Sequence, residues 1–231
     1  MNGKPKALDL FCGAGGATRG LQLAGFHVTG VDINPQPRYC GDEFIQGDAL
    51  TVPLDGYDFI WASPPCQAFT TMKNMWNARD DHPNLIPAMR GRLVETGLPF
   101  CIENVDGAPL GETGNLIYLC GTMFGLVTAD GRHELRRHRL FETSFPIILR
   151  PACQHNGAVI GVYGGHGRDR RRTCTVLSKA GGGHKGQPSL PLASRRQAMG
   201  IDWMKDYELS QSIPPAYSEF IGRQIVEQLT I

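Results

Sequence analysis

The chain has 231 residues, 41% of them hydrophobic, and its 23 basic and 22 acidic residues leave a formal net charge of +1. That size fits one sizeable core with room for a small appendage, and the charge balance by itself does not mark a nucleic-acid binder. No run of about 18 apolar residues exists, which argues against a membrane-spanning helix; seven cysteines, an odd number behind the unpatterned start "MNGKPKALDLFCG", argue against a secreted disulfide framework. A cytoplasmic protein with reduced thiols is expected, with no membrane association and no obligatory protein partner.

In chain order, short β-like runs alternate with helical patterns: "ALDLFCG", "ATRGLQLAGF", "HVTGVDI", "EFIQGDA", "YDFIWASPP", "LIPAMRGRLVETG" and "PFCIENV". The alternation predicts an α/β fold, a Rossmann-like, mostly parallel sheet with helices on both faces. From about 150 to 191 the texture turns glycine-rich and basic, with "YGGHGRDRRR" and "KAGGGHKGQPSLP" around two short strands, "AVIGVYG" and "TCTVLS". Helix returns at "SRRQAMGIDW" and "PPAYSEFIGRQIVEQLTI", where Pro214 and Pro215 open the last segment. The division expected is 1–149 as a catalytic, cofactor-binding unit, 150–194 as a small recognition region, and 195–231 as a helical return to the first unit.

Several runs end in special residues, and in open α/β sheets ligands bind beyond the carboxyl ends of the strands. "DLFCGAGGATRG" reads as strand, glycine turn and helix start; Gly13 and Gly15 permit close backbone approach to a nucleotide-like ligand, although the spacing is not the dinucleotide G-x-G-x-x-G. Asp32 in "VDINP" stands where a carboxylate binds ribose hydroxyls, and Asp48 in "GDA" is placed to accept from an adenine amine. Either is also an ordinary turn residue. In "SPPCQAFT", Pro64 and Pro65 end the strand and present Cys66 stiffly at the crevice, where positive charge would favour its thiolate. Glu103 in "ENV" ends the next strand, so a thiol and a carboxyl of raised pKa should face one another; a hydrolase would want a histidine beside the thiol instead.

The ordered set "DLFCGAGG", "VDINP", "GDA", "SPPCQAF", "ENV", "RHRLFE" and "IPPAYSEFIG" resembles the cytosine-C5 DNA methyltransferases, over about residues 7 to 142 and 195 to 226. The resemblance implies the class I S-adenosylmethionine-dependent methyltransferase fold, S-adenosylmethionine as cofactor with S-adenosylhomocysteine as product, and double-stranded DNA as partner. It implies that Cys66 adds to cytosine C6, that Glu103 assists at N3, that Asn104 helps to place that carboxyl, and that Arg139, with Arg137 as companion, contacts cytosine O2 and the catalytic loop. Cofactor contacts carried over are Phe11, Gly13, Gly15, Asp32, Ile33, Asp48, Ala49, Pro64 and Ile213. The target base would be flipped from the duplex, with the segment after Cys66 closing over it.

The likeness is incomplete. Only about 150 to 194 is left for target recognition, and Gln67, Arg168, Arg170, Arg171, Arg172 and Lys185 are the expected DNA contacts. Leu135 stands where the family has a glutamine, and "QSIPP" lacks the usual asparagine. Cys153, His155, His166 and Cys174 do not have the spacing of a tetrahedral metal site, so no metal is expected. Two other readings fit the residues: the same chemistry on transfer RNA or a free nucleotide, and a silent nucleic-acid-binding protein that keeps the cofactor pocket.

Overall fold

The computed structural model describes residues 3–66, 69, 83–148, 151–163 and 190–229. Nine strands are β1 (Lys6–Leu10), β2 (His27–Asp32), β3 (Glu43–Gln46), β4 (Phe59–Ala62), β5 (Phe100–Asn104), β6 (Asn115–Leu119), β7 (His133–Glu134), β8 (Arg139–Thr143) and β9 (Ala158–Val159) among the described residues. The helices there are α1 (Gly16–Ala24), α2 (Ile86–Thr96), α3 (Leu192–Met199), α4 (Asp206–Gln211) and α5 (Pro215–Leu229). Seven strands form one sheet in the order β3-β2-β1-β4-β5-β8-β6. β1 to β5 run parallel, and β8 runs against both β5 and β6. β7 and β9 make a separate two-stranded parallel pair.

The central strands are buried on both faces, which explains why they read as nearly unbroken apolar runs. Alternate residues divide between two cores. Leu8, Leu10, Ile60, Ala62, Phe100 and Ile102 pack with Met89 and Leu93 of α2. Ala7, Phe59, Trp61, Cys101 and Phe141 pack with Leu21 of α1 and with Tyr217, Ile221 and Ile225 of α5. The expected mostly parallel sheet with helices on both faces is therefore the architecture observed.

Two helical glycines let α1 and the chain around α5 meet at backbone distance. A Cβ on Gly16 would lie 1.7 Å from Ser212 Oγ, and one on Gly20 would lie 2.1 Å from the Pro215 carbonyl oxygen. The C-terminal segment thereby packs against the first helix. Ser218 Oγ adds a hydrogen bond to the Ala17 carbonyl at 2.8 Å.

A third core joins Ala14, Leu135, Ile160, Val162, Met199, Ile201, Met204 and Leu209. The described ends of the glycine-rich region are built into it. Of the two short strands expected there, β9 is present and "TCTVLS" lies outside the described residues. The sequence pattern did not announce β6 or α4. β6 has one buried and one exposed face at the sheet edge, and α4 is a short element held by its ends. Lys205 N–H donates to Glu208 Oε2 at 2.7 Å, and Arg38 grips the same carboxylate through contacts of 2.6 to 3.0 Å.

Candidate active site

The carboxyl ends of β1, β2, β4 and β5 open on one edge. After β1 the chain turns sharply: Phe11 takes φ 62° and Gly13 φ 51°. A positive φ costs a bulky residue such as phenylalanine, so this turn stores strain at the crevice. A Cβ on Gly13 would meet nothing within 4 Å, whereas one on Gly15 would lie 2.7 Å from Cys40 Sγ. Gly13 thus borders open space, while Gly15 is required by packing.

Asp32 Oδ2 accepts from Gly13 N–H at 3.0 Å and Oδ1 from Asn34 N–H at 2.9 Å. The carboxylate is half-buried and locks the β1 turn to the end of β2. Ile33 beside it is 66% exposed, an apolar side chain with no core to fill. Asp48 is exposed and closes its own turn, accepting from Leu50 N–H at 2.9 Å, the turn role the sequence left open. Ala49 is buried with its carbonyl bonded to Arg92. Ile213 is buried in the core; its backbone, not its side chain, borders the glycine turn at Gly16.

Asn104 links the ends of β4 and β5. Its Nδ2 donates to the Pro64 carbonyl at 2.9 Å, and its Oδ1 accepts from Val105 N–H at 2.9 Å. The proline pair after β4 is thereby held to the end of β5. Cys66, half-buried just beyond, and Glu103, 8% exposed, share that edge. Glu103 Oε1 lies 3.1 Å from Arg139 Nε, at the start of β8 where Asn104 pairs with Leu140.

Electrostatics couple these groups. Burial pushes the Glu103 carboxyl above its usual range, and the Arg139 charge opposes this. Burial also pushes the Cys66 thiol up; the negative charge of Glu103 adds to the shift, and Arg139 and Arg137 work against it. Cys66 therefore rests as a thiol, not as the thiolate that nearby positive charge led one to expect.

The two arginines part company. Arg139 faces Glu103 and also donates to the His138 carbonyl at 2.8 Å. Arg137 donates to the Val162 carbonyl at 2.5 Å and the Ser210 carbonyl at 2.7 Å, and its own carbonyl accepts from Tyr217 Oη at 2.7 Å. It clamps β9's continuation and α4 to the sheet. Leu135, at the position of the family's glutamine, is 1% exposed and fills the third core.

Asp9, inside the first motif, was not singled out by sequence pattern. It is fully buried under the glycine turn, with Oδ2 accepting from Thr18 Oγ1 at 2.5 Å and Oδ1 without a partner among the described residues. Burial raises its carboxyl to about 7. The signal available was a charged residue within an otherwise apolar strand. Gln67, Arg168, Arg170, Arg171, Arg172 and Lys185, the expected DNA contacts, lie outside the described residues.

Two solved structures share this architecture over 98% of the chain and 100% of their own. A protein encoded within an E. coli prophage, described as a candidate DNA modification methyltransferase, matches with a TM-score of 0.59 at 14% identity. A mutant of Spodoptera frugiperda DNMT2 matches with a TM-score of 0.56 at 13% identity. This is a class I methyltransferase fold. In sequence, the type II methyltransferase M.AquIA of Picosynechococcus sp. is 31% identical over 44% of this chain and 49% of its own, so the chain spans about half the length of that relative. No family model matches. The methyltransferase fold therefore carries motifs in the order that resembles the cytosine-C5 enzymes.

Proposed function

We propose that the chain is a DNA (cytosine-5-)-methyltransferase that uses S-adenosylmethionine and attacks a flipped-out cytosine through Cys66. The observation that carries this reading is the hydrogen bond from Asn104 to the Pro64 carbonyl. It ties a proline-stiffened thiol to a buried carboxyl already paired with an arginine, and among the described residues no histidine is bonded to that thiol as a hydrolase would require.

The glycine turn and the end of β2 fit the cofactor. Gly13 faces open space, Asp32 is fixed by two backbone N–H groups and Ile33 offers an exposed apolar surface. Bound there, S-adenosylmethionine supplies the methyl group. Asp32 would hold the ribose hydroxyls and Ile33 the adenine face. Phe11, Gly15, Asp48, Ala49, Pro64 and Ile213 are the further contacts this reading assigns to the cofactor.

At cytosine, the sulfur of Cys66 gives up its proton to water and bonds to C6, which moves the C5–C6 π pair toward C5. Glu103 holds a proton at N3 and so draws electron density through the ring. One proton on Glu103 serves both partners: it supplies the N3 contact and removes the negative charge that raises the Cys66 thiol. Once C5 is methylated, water takes its hydrogen as a proton, the C–H pair re-forms the C5–C6 double bond, and the S–C6 bond breaks with its electron pair on Cys66. Arg139 holds Glu103 in place beside O2, and Arg137 positions the strand that carries Arg139.

Duplex DNA would lie over this edge, with region 150–194 and its basic residues as the recognition unit. No helix among the described residues is long and apolar enough to cross a membrane. The test is transfer of labelled methyl from S-adenosylmethionine to unmodified duplex DNA, with Cys66→Ser alongside, followed by base-resolution mapping. Label at cytosine C5 that depends on the thiol supports the reading. Label on transfer RNA or a nucleotide but not on the duplex moves the same chemistry to another substrate. Binding of cofactor and DNA with no transfer would refute it.

A further inference from the structure

A second group of reactive side chains lies at the start of β8, one residue along the chain from the arginine that pairs with Glu103. Cys120 follows β6 and His138 precedes β8. Leu119 pairs with Arg139 in that antiparallel ladder, so the next residues outward, Cys120 and His138, lie across from one another at the sheet end. The segment after β8 then brings Cys153 and His155 over the same end. Cys153 Sγ is 2.9 Å from His155 Nε2 and 3.6 Å from His138 Nε2, and Cys120 Sγ is 3.4 Å from His155 Nε2. The four ligand atoms all lie within 4.8 Å of one another.

We propose that Cys120, His138, Cys153 and His155 form a closed Cys2His2 zinc site that fastens the start of the recognition region to the catalytic sheet. Zinc–sulfur bonds of about 2.3 Å and zinc–nitrogen bonds of about 2.0–2.1 Å in a tetrahedron give ligand–ligand edges of about 3.3–3.8 Å. Two of the three sulfur–nitrogen separations, 3.4 and 3.6 Å, fall in that range and the third, 2.9 Å, is shorter, so side-chain adjustment would seat the ion. Two thiolates and two imidazoles in a compact set suit zinc better than a hard cation. Four protein ligands leave no open position, which makes the role structural.

The surroundings hold the ligands ready. Tyr118 stacks on His138 with ring centroids 4.9 Å apart, and His138 meets His155 edge-on at 5.0 Å. Glu134 Oε2 accepts from Asn156 N–H at 3.2 Å and Gly157 N–H at 3.1 Å, while Arg136 donates to the Gly157 carbonyl at 3.0 Å. These contacts fix the 153–157 segment from its far side. Without a metal, the Cys120 thiol faces the Arg136 carbonyl at 3.2 Å and Thr122 Oγ1 at 3.2 Å; binding exchanges that weak contact for a metal bond and releases the proton.

Sequence spacing hid the site. Cys153 and His155, set beside His166 and Cys174, lack the spacing of a metal site, and the latter two lie outside the described residues. Sheet register supplies Cys120 and His138 instead.

The test is elemental analysis of the full chain purified under reducing conditions, with Cys153→Ser and Cys120→Ser prepared in parallel. Cys153 is exposed, so its variant tests ligation without disturbing the core. One tightly held zinc per chain is expected, falling to near zero in Cys153→Ser. Cobalt(II) added to the chelator-treated protein should give the intense visible absorption of a tetrahedral site with thiolate charge transfer. Absence of zinc together with no cobalt spectrum would overturn the proposal. So would full zinc occupancy in both variants, or a Cys120–Cys153 disulfide found by thiol counting of the chain purified without reductant. None of these readouts depends on methyl transfer, so the site and the proposed activity stand or fall separately.

Discussion

Asp9 offers a sharp test of how the β1 turn is built. Its carboxyl is raised by burial from its ordinary 3.8 to about 7, and a nearby hydroxyl hydrogen bond only partly offsets the cost. A raised carboxyl keeps its proton in the folded chain after the unfolded chain has released it. Its contribution to stability is therefore fully present below about pH 4 and is lost as pH rises through 7. Linkage over that interval predicts a loss of about 2 to 3 kcal/mol between pH 5 and pH 8 from this group alone. Asp9→Asn mimics the protonated side chain, since its amide oxygen can still accept from Thr18. The assay is urea unfolding of both proteins across that range. The difference between their stabilities should change by the stated amount, with Asp9→Asn the more stable at pH 8. Parallel pH profiles for the two proteins would show that Asp9 is ionised in the fold, and the account of a neutral carboxyl under the glycine turn would fail.

Other outcomes follow from the same geometry. Gly16→Ala places a methyl group 1.7 Å from Ser212 Oγ; overpacking of this kind costs about 1–3 kcal/mol, and thermal unfolding should fall by about 2–4 °C per kcal/mol for a chain of this size. Alkylation of Cys66 by iodoacetamide should follow a titration lying above an ordinary cysteine. In Glu103→Gln the midpoint should drop, because the carboxylate charge adds to the upward shift. An unchanged midpoint, read by mass spectrometry of the Cys66 peptide, would mean that the two groups do not interact.

Much of the fold was legible because buried parallel strands leave a local trace. "ALDLF", "DFIWA" and "FCIEN" are apolar on both faces, and each breaks into glycine, proline or asparagine where the strand leaves the sheet. Those same breaks marked Cys66, Glu103 and Asp32 as strand-end residues before their neighbours were known. β6 left a weaker trace, since an edge strand with one wet face needs no long apolar run.

What periodicity does not carry is which strand ends meet. "RRHR" holds Arg137 and Arg139 on one side of a strand by spacing alone, yet only Arg139 pairs with Glu103, because β8 runs antiparallel to β5 and Arg137 lies beyond the sheet, bonded to two carbonyls. Asp9 looked like one more residue of a motif; its lack of solvent is set by α1 and the glycine turn packed over it. Cys120, His138, Cys153 and His155 converge only through strand register and the return of the chain after β8. The sequence by itself determined the elements and the chemical groups at their ends, since both follow from local pattern. The pairings among those groups, and the protonation that burial imposes on them, came from the tertiary structure, which alone decides what is adjacent and what is dry.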